Sequence, residues 1–218
     1  MVRVKWHGHA CFELRTSSGT VVVFDPHDGK SIGLKAPNVK ADIVIVSHNH
    51  FDHNAAELVA RPGALVIKER AAEIRRGEIS VKGFPTYHDE SMGTKRGRNV
   101  VYKVRADDVD FVHLGDLGHV PSPELVEELR GVGVLFVPVG GTFTIGPREA
   151  VRVIELLEPK IAVPMHYKVT GLNLPLSGLE EFAALSKWPF ARLGSSELEV
   201  NSNNLPEKTT VIALRPPI

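Results

Sequence analysis

Apolar and polar residues alternate in short segments along most of this chain, and Gly, Pro, Asp or Asn separate the segments. Period-two patterns rich in Val and Ile are typical of β-strands that bury one face. They predict strands at about residues 2–6, 11–15, 20–25, 42–47, 64–68, 79–85, 99–105, 109–114, 134–138, 161–165 and 210–214. Strands therefore dominate the expected fold.

Other segments have the three-to-four-residue apolar spacing of amphipathic helices. They cover residues 54–60, 68–76, 122–130, 146–159 and 177–186. Pro147 suits the first position of one helix, and Ser177 with Glu180 fits a capping box at the start of another. Early strands follow one another through short turns, whereas later strands alternate with helices. The pattern predicts one mixed α/β domain over residues 1–218, with helices covering two sheets.

Composition narrows the function classes. Hydrophobic residues make up 43% of the chain, enough for a sizeable core, and the formal net charge is zero. Without a positive field or a stripe of basic and aromatic residues, the sequence favours a small-molecule substrate and disfavours nucleic acid. No apolar run approaches the ~18 residues of a membrane span, and the N-terminal segment alternates like a strand, so we expect a cytoplasmic protein without a membrane partner. A homo-oligomer is left open.

The segment SHNHFDH, residues 47–53, directly follows the apolar run Ile43–Val46. It places three of the ten histidines of the chain and one carboxylate within a single loop. Imidazole is the commonest metal ligand, and the same groups buried without a cation would cost roughly 1–3 kcal/mol each. The spacing differs from the helical H-E-x-x-H zinc site. The loop therefore predicts a metal ion at the end of a buried strand.

A metal ion needs more ligands than this loop supplies, and later strand ends offer them. His88, Asp116 and His166 each follow an apolar β-segment and precede a loop. Strand ends can meet at one edge of an α/β sheet, so we expect these side chains to converge on the histidine-rich loop. His113, three residues before Asp116, is a further candidate for a ligand.

These motifs together resemble the metallo-β-lactamase superfamily. His48, His50, Asp52 and His53 fit H-x-H-x-D-H, a separate His, the Asp of a Gly-Asp pair and a final His follow in order, and Asp25 in VVVFDP is similar to the superfamily's early structural Asp. The resemblance implies an α/β (α+β) fold, a four-layer αββα sandwich with a two-metal site. It assigns His48, His50 and His88 to the first metal, Asp52, His53 and His166 to the second, and Asp116 as the bridge.

The resemblance also implies roles and chemistry. Asp25 orients a ligand rather than binding metal, and His88 is preferred to His113, which lies too close to Asp116 for the family pattern. Two divalent ions can activate a bridging hydroxide, so hydrolysis is the expected reaction. Asp52 is the expected catalytic residue, because it would both bind metal and orient the attacking hydroxide. His50 stands where the di-iron branch of the superfamily has Glu. This nitrogen-rich set favours Zn²⁺, with Mn²⁺, Fe²⁺ or Ni²⁺ as alternatives.

Further segments, among them WHGHACFEL and YHDESMGTKRGRN, resemble a branch of metal-dependent hydrolases related to the ascorbate-6-phosphate lactonase. That narrower resemblance suggests a small anionic substrate, a lactone or a phosphoester. The candidate substrate-binding residues are His9, Lys95, Arg96, Arg98 and His119. The basic loop could equally be a solvated tip without a ligand. Two other functions stay open: a phosphodiesterase or nuclease acting on nucleic acid, and a non-catalytic metal-binding sensor or scaffold.

Overall fold

The computed structural model describes residues 1–217, which form two β-sheets with helices packed around them. The strands in chain order are β1 (Val2–Trp6), β2 (Phe12–Arg15), β3 (Val21–Phe24), β4 (Ala41–Val46), β5 (Ala60–Lys68), β6 (Glu73–Arg76), β7 (Ile79–Tyr87), β8 (Arg98–Ala106), β9 (Val109–His113), β10 (Val134–Pro138), β11 (Ile161–Met165), β12 (Phe190–Arg192), β13 (Glu197–Val200) and β14 (Thr210–Ala213). The helices are α1 (Ala56–Val59), α2 (Pro123–Leu129), α3 (Pro147–Leu157) and α4 (Leu179–Leu185), and a short 3₁₀ turn spans Lys30–Ile32.

The strand order brings the ends of distant strands together. The first sheet has the order β13-β1-β2-β3-β4-β5, and the second has the order β12-β14-β11-β10-β9-β8-β7-β6. Strands β3, β4 and β5 are parallel neighbours, as are β9, β10 and β11. Parallel neighbours end at the same edge of a sheet, so the loops after these strands lie next to one another.

Burial alternates along the strands of the first sheet as the pleat requires. Val22, Phe24, Ile43 and Ile45 belong to the main core, which they share with the second sheet. The intervening residues Val21, Val23, Val44 and Val46 face the other way and pack with Ala56 and Val59 of α1. In the second sheet, β10 and β11 are buried along their whole length, and α3 adds its apolar face to the same core. The result is the predicted sandwich of two helix-covered sheets.

Most predicted elements are confirmed within one to four residues, and Pro147 does begin α3. The helix predicted over 68–76 is wrong, because residues 73–76 form β6, which pairs antiparallel with β7 through the turn at Gly77. Apolar residues were too few there to separate a helical period from an edge strand. The capping box is also wrong, since Gly178 rather than Ser177 caps α4. Strands β12 and β13 were not predicted.

Two glycines let the strand-end loops approach closely. A Cβ on Gly118, after β9, would collide with the backbone of His88 and Asp89, and a Cβ on Gly140, after β10, would collide with the carbonyl oxygen of His166. The loops that carry the candidate ligands are thus in direct backbone contact. Across the described residues, no helix combines the length and apolar character that crossing a membrane requires.

Candidate metal centre

Asp25 anchors the histidine-rich loop at the end of β4. Its Oδ1 accepts the backbone N–H of Ser47 at 2.7 Å, and its Oδ2 lies 2.7 Å from Ser47 Oγ and 3.0 Å from His53 Nδ1. Ser47 Oγ in turn lies 2.9 Å from Nδ1 of His48. An ionised carboxylate can only accept, so His53 donates from Nδ1 and Ser47 donates from Oγ. Ser47 Oγ then accepts from His48, so both Nδ1 atoms are engaged and the Nε2 atoms of His48 and His53 are left to face a metal.

Asp116 lies at the centre of the cluster, between four imidazoles from three separate loops. Its carboxylate oxygens are 3.1 Å from His88 Nε2, 3.2 Å from His166 Nε2, 3.3 Å from His53 Nε2 and 3.8 Å from His48 Nε2. The Asp116 backbone N–H is held by Asn99 Oδ1 at 3.0 Å. The sequence predicted this convergence from the ends of separate strands.

The side chains form two groups on either side of Asp116. His48, His50 and His88 offer ligand atoms within 4.8 Å of one another, and so do Asp52, His53 and His166 together with His9. These are the two ligand sets that the family resemblance implies, plus one additional histidine. Asp25 lies within the same distance of His48 and His53, but its oxygens already accept hydrogen bonds from the loop.

Unpartnered polar atoms test whether a metal fits here. The Nε2 atoms of His48, His53 and His166 and the Oδ1 atom of Asp116 are buried without a hydrogen-bond partner. Each such atom costs roughly 1–3 kcal/mol unless something else satisfies it. All four point at the same small volume, and nitrogen and carboxylate donors together suit a divalent ion. The residues therefore fit a metal centre.

Burial and mutual charge set the protonation of the cluster. Burial lowers the pKa of His48 to about 3 and also lowers that of His50, so both imidazoles are neutral. Burial would raise the pKa of Asp116, but the surrounding His166 and His53 hold it well below its usual range. Burial likewise opposes charge on His53, yet the carboxylates of Asp116 and Asp52 raise its pKa. Ionised carboxylates and neutral imidazoles are the forms that bind metal, so a metal ion competes with the proton on His53.

His113 lies behind the cluster. Its Nε2 contacts the carbonyl oxygen of Ala10 at 2.8 Å, and its Nδ1 accepts the backbone N–H of Gly115 at 3.1 Å. The ring also stacks on Phe24 with 5.0 Å between centroids. Both ring nitrogens are therefore engaged by the backbone, whereas His88 points its Nε2 at Asp116.

His9 has a different position from the one expected of a substrate-binding residue. It is fully buried, its Nε2 lies 3.0 Å from Asp52 Oδ2, and its ring packs 4.1 Å from that of His166. A side chain behind Asp52 cannot reach a substrate in front of it. The structure thus corrects the expectation and places His9 as a contact of two candidate ligands.

A cavity of about 250 Å³ opens in front of the cluster. Its lining consists of His50, Phe51, Asp52, His88, Arg96, Asp116, Phe143 and Leu174. Of the three basic residues predicted to bind substrate, only Arg96 lines this cavity. Lys95 lines an adjoining cavity of about 240 Å³ that also has His88 and Arg96 in its wall.

Arg98 and His119 are not brought to this cavity, which corrects their predicted role. Arg98 is exposed at the start of β8, opposite Tyr87 in the sheet. Nε2 of His119 accepts the backbone N–H of Tyr87 at 3.2 Å, and its Nδ1 lies 2.9 Å from the carbonyl oxygen of Val120. His119 lines a separate groove of about 470 Å³ beside α2.

Sequence reasoning missed the residue that holds the basic loop. Asp89, next to His88, accepts backbone N–H groups from Ser91, Gly93, Lys95 and Arg96 at 2.8 to 3.0 Å. These hydrogen bonds fold the loop of residues 90–97 back onto Asp89, next to the candidate ligand His88, so the loop does not extend into solvent. Asp side chains commonly accept hydrogen bonds from nearby backbone N–H groups. The position of Asp89 just before a segment rich in Gly and basic residues could therefore have indicated this role. The apolar residues Phe51, Phe143 and Leu174 were missed as well.

Comparison with known proteins gives matches along most of the chain. A family model described as a β-lactamase superfamily domain matches residues 3–166. A UPF0173 metal-dependent hydrolase of Thermococcus kodakarensis is 34% identical over 192 residues, covering 77% of this chain and 85% of that protein. A UPF0173 metal-dependent hydrolase of Methanopyrus kandleri is 33% identical over 194 residues, covering 76% and 84% of the two chains.

Solved structures agree. A Thermotoga maritima protein, provisionally named a Zn-dependent hydrolase of the metallo-β-lactamase superfamily, superposes with a TM-score of 0.79 at 36% identity, covering 99% of this chain and all of that one. A metallo hydrolase from Ignicoccus hospitalis superposes with a TM-score of 0.69 at 20% identity, covering 99% of this chain and 95% of that one. The second match bears on the fold alone.

Proposed function

The chain belongs to the metallo-β-lactamase superfamily, among the UPF0173 metal-dependent hydrolases, and from that premise we propose a two-metal hydrolase that acts on a small anionic substrate. The proposal rests chiefly on Asp116, whose carboxylate lies within 3.1 to 3.8 Å of four imidazole nitrogens. A carboxylate placed between two sets of candidate ligands would suit a pair of divalent ions. Zn²⁺ is the metal that this nitrogen-rich set favours.

Two divalent ions held at this position would supply an activated water and a Lewis acid for the oxygen that becomes negative during hydrolysis. The protein's own groups determine the rest. His48, His50 and His88 would hold one ion, Asp52, His53 and His166 the other, and Asp116 both. Asp52 borders the cavity, so its carboxylate can also orient the attacking water. The cavity volume of about 250 Å³ suits a small molecule rather than a nucleic acid strand.

An anionic substrate is proposed because of Arg96. Its guanidinium borders the cavity, and among residues 1–217 no carboxylate lies within ion-pair distance of it. A guanidinium that meets a phosphate or carboxylate makes a bidentate contact worth roughly 1.5–3 kcal/mol. Phosphoesters and phosphorylated lactones both present such an anion close to a hydrolysable bond.

The test is a hydrolase screen with metal-reconstituted protein. Bis(4-nitrophenyl) phosphate and a panel of lactones, with and without a phosphate group, should include substrates whose turnover a chelator abolishes and added metal restores. Asp116→Ala should lack this turnover. A protein that binds metal but hydrolyses no member of the panel would favour a sensor or scaffold instead.

The role of Arg96 has its own test, with Arg98→Ala as the matched control. Arg96→Ala should raise KM for an anionic substrate about tenfold to a hundredfold, with a smaller effect on kcat, because a contact remote from the reacting bond contributes uniform binding. The uncharged analogue should be unaffected. Equal effects of the two variants, or equal effects on both substrates, would show that the loop does not select the anion.

A further inference from the structure

One wall of the cavity in front of the metal cluster is apolar. Phe51, Phe143 and Leu174 line it together with the polar ligands. Phe51 is 56% exposed although it stands between His50 and Asp52 in the ligand loop. Single exposed apolar residues are common, but three apolar residues around one cavity that also contains polar candidate ligands are characteristic of a binding site.

The wall is held in place by contacts between two loops. Phe143 lies in the loop after β10, and Leu174 lies in the loop after β11. Thr142 Oγ1 donates to the carbonyl oxygen of Pro175 at 2.7 Å, and the backbone N–H of Ser177 donates to the carbonyl oxygen of Gly140 at 2.9 Å. Lys168 Nζ donates to the carbonyl oxygen of Leu174 at 3.0 Å. The loops of Phe143 and Leu174 are therefore held together before any ligand binds, which lowers the entropic cost of binding.

The same wall carries the cation. The Arg96 guanidinium lies over the Phe143 ring, 5.1 Å from its centroid, while Asp89 holds the Arg96 backbone N–H at 2.8 Å. A stacked guanidinium keeps its edge N–H groups available for a carboxylate or phosphate. The apolar wall and the Arg96 guanidinium thus line the same cavity next to each other.

We propose that the substrate is an amphipathic anion, in which an aryl or alkyl group next to the hydrolysed bond contacts Phe51, Phe143 and Leu174 while a carboxylate or phosphate contacts Arg96. This inference rests on the proposed hydrolase function of the site and names its substrate class more narrowly. A small, uniformly polar anion such as a sugar phosphate would leave the apolar wall uncovered. An apolar ester without a charge would leave Arg96 without a partner.

Phosphonates bound to the zinc-loaded protein test the apolar contact without any need for turnover. Methyl-, propyl-, hexyl- and phenylphosphonate share one metal-binding head group and differ in apolar area. Calorimetric titration should show affinity rising with chain length by up to about fourfold per methylene, the factor that corresponds to full burial of a CH₂ group. Phenylphosphonate should bind more tightly than methylphosphonate.

Variants identify the wall. Phe143→Ala should flatten the series, and Phe51→Ser provides a second variant at an exposed position where folding is not at risk. Phe84→Ala is the matched control, because Phe84 also lies under a cation, Lys82 at 4.8 Å, but borders the groove beside α2. This control should retain the full chain-length dependence.

The cation is tested with 4-carboxyphenylphosphonate against phenylphosphonate. The carboxylate should improve affinity in the wild type and in Arg98→Ala, and the improvement should disappear in Arg96→Ala. A flat phosphonate series in the wild type, or equal losses in Phe143→Ala and Phe84→Ala, would overturn the inference even if the hydrolase screen succeeds. A rising series that Phe143→Ala flattens supports it, and a failed screen would then bear on hydrolysis alone.

Discussion

Replacing Asp25 by Asn exchanges one carboxylate oxygen for an NH₂ group and should disable candidate ligands in both halves of the proposed metal centre. Asp25 Oδ2 receives hydrogen bonds from His53 and, through Ser47, sets the orientation of the His48 hydrogen. An amide NH₂ in that position donates instead of accepting. His53 and His48 would then have to carry their protons on Nε2, the atom that faces Asp116. Turning the amide round only moves the conflict to the backbone N–H of Ser47.

The expected magnitudes follow from these contacts. Burial alone would raise the pKa of Asp25. The hydrogen bond from His53 and the nearby His113 outweigh this effect and bring the pKa below its usual value, so the carboxylate is ionised. Hydrogen bonds to a charged group contribute about 1.5–3 kcal/mol each, so losing one or two should reduce the free energy of unfolding by roughly 3 kcal/mol. Partners that orient metal-binding histidines typically change metal affinity about tenfold to a hundredfold.

The assay combines three measurements. Chemical denaturation gives the stability of the metal-free protein, chelator competition gives metal affinity, and long-range ¹H–¹⁵N spectra report which imidazole nitrogen carries the proton. Asp28→Asn is the matched control, because Asp28 lies three positions away and is exposed, with Ser31 as its hydrogen-bond partner. If Asp25→Asn kept wild-type metal affinity and wild-type histidine tautomers, the proposed orientation of His48 and His53 would be refuted.

Three further predictions concern single residues. Asp52→Ala should lower activity by several orders of magnitude while the fold survives, since Asp52 lies on a loop beside the cavity; near-normal turnover with bound metal would contradict its role. His9 Nε2 lies 3.0 Å from Asp52 and orients that carboxylate, so His9→Ala should lower kcat more than it raises KM. The same variant should alter the visible spectrum of the cobalt-substituted protein, and His9→Asn should recover part of both effects. An unchanged cobalt spectrum in His9→Ala would exclude this orienting role. Burial lowers the pKa of His27 from 6.5 to about 4, so the unfolded chain binds the extra proton and stability should fall as pH decreases from about 6.5 to 4. His27→Gln should remove up to roughly 3 kcal/mol of that pH-dependent loss in urea denaturation, and an identical pH profile would disprove the assignment.

The candidate ligands could be predicted from sequence because each follows a buried strand, and strand ends are recognisable from short apolar runs. His48, His88, Asp116 and His166 all meet as the sequence indicated. The choice among Arg96, Arg98 and Lys95 could not be made in this way. Their directions depend on the hydrogen bonds of Asp89 and on the register of β8 against β7, and neither leaves a periodic pattern in the sequence.

Contacts between loops that lie far apart in the sequence could not be predicted either. His9 meets Asp52 across 43 positions, and Phe143 meets Arg96 only because the loops after β10 and β7 lie at the same end of the second sheet. His9 and Asp25 both adopt positive φ values, 53° and 42°, a conformation that Asp and His adopt more often than most residues but that no pattern in the sequence places at these positions. The segment over 68–76 failed for a related reason, since pairing with β7 overrode its local helical preference.

The number of metal ions per chain tests the central claim most directly. Elemental analysis of zinc-reconstituted, extensively dialysed protein should find close to two ions per wild-type chain, because the two ligand groups and the bridging Asp116 exceed the needs of one tetrahedral ion. Asp116→Ala should lose at least one of them. A single tightly held ion in the wild type, with the same occupancy in Asp116→Ala, would contradict the two-metal centre.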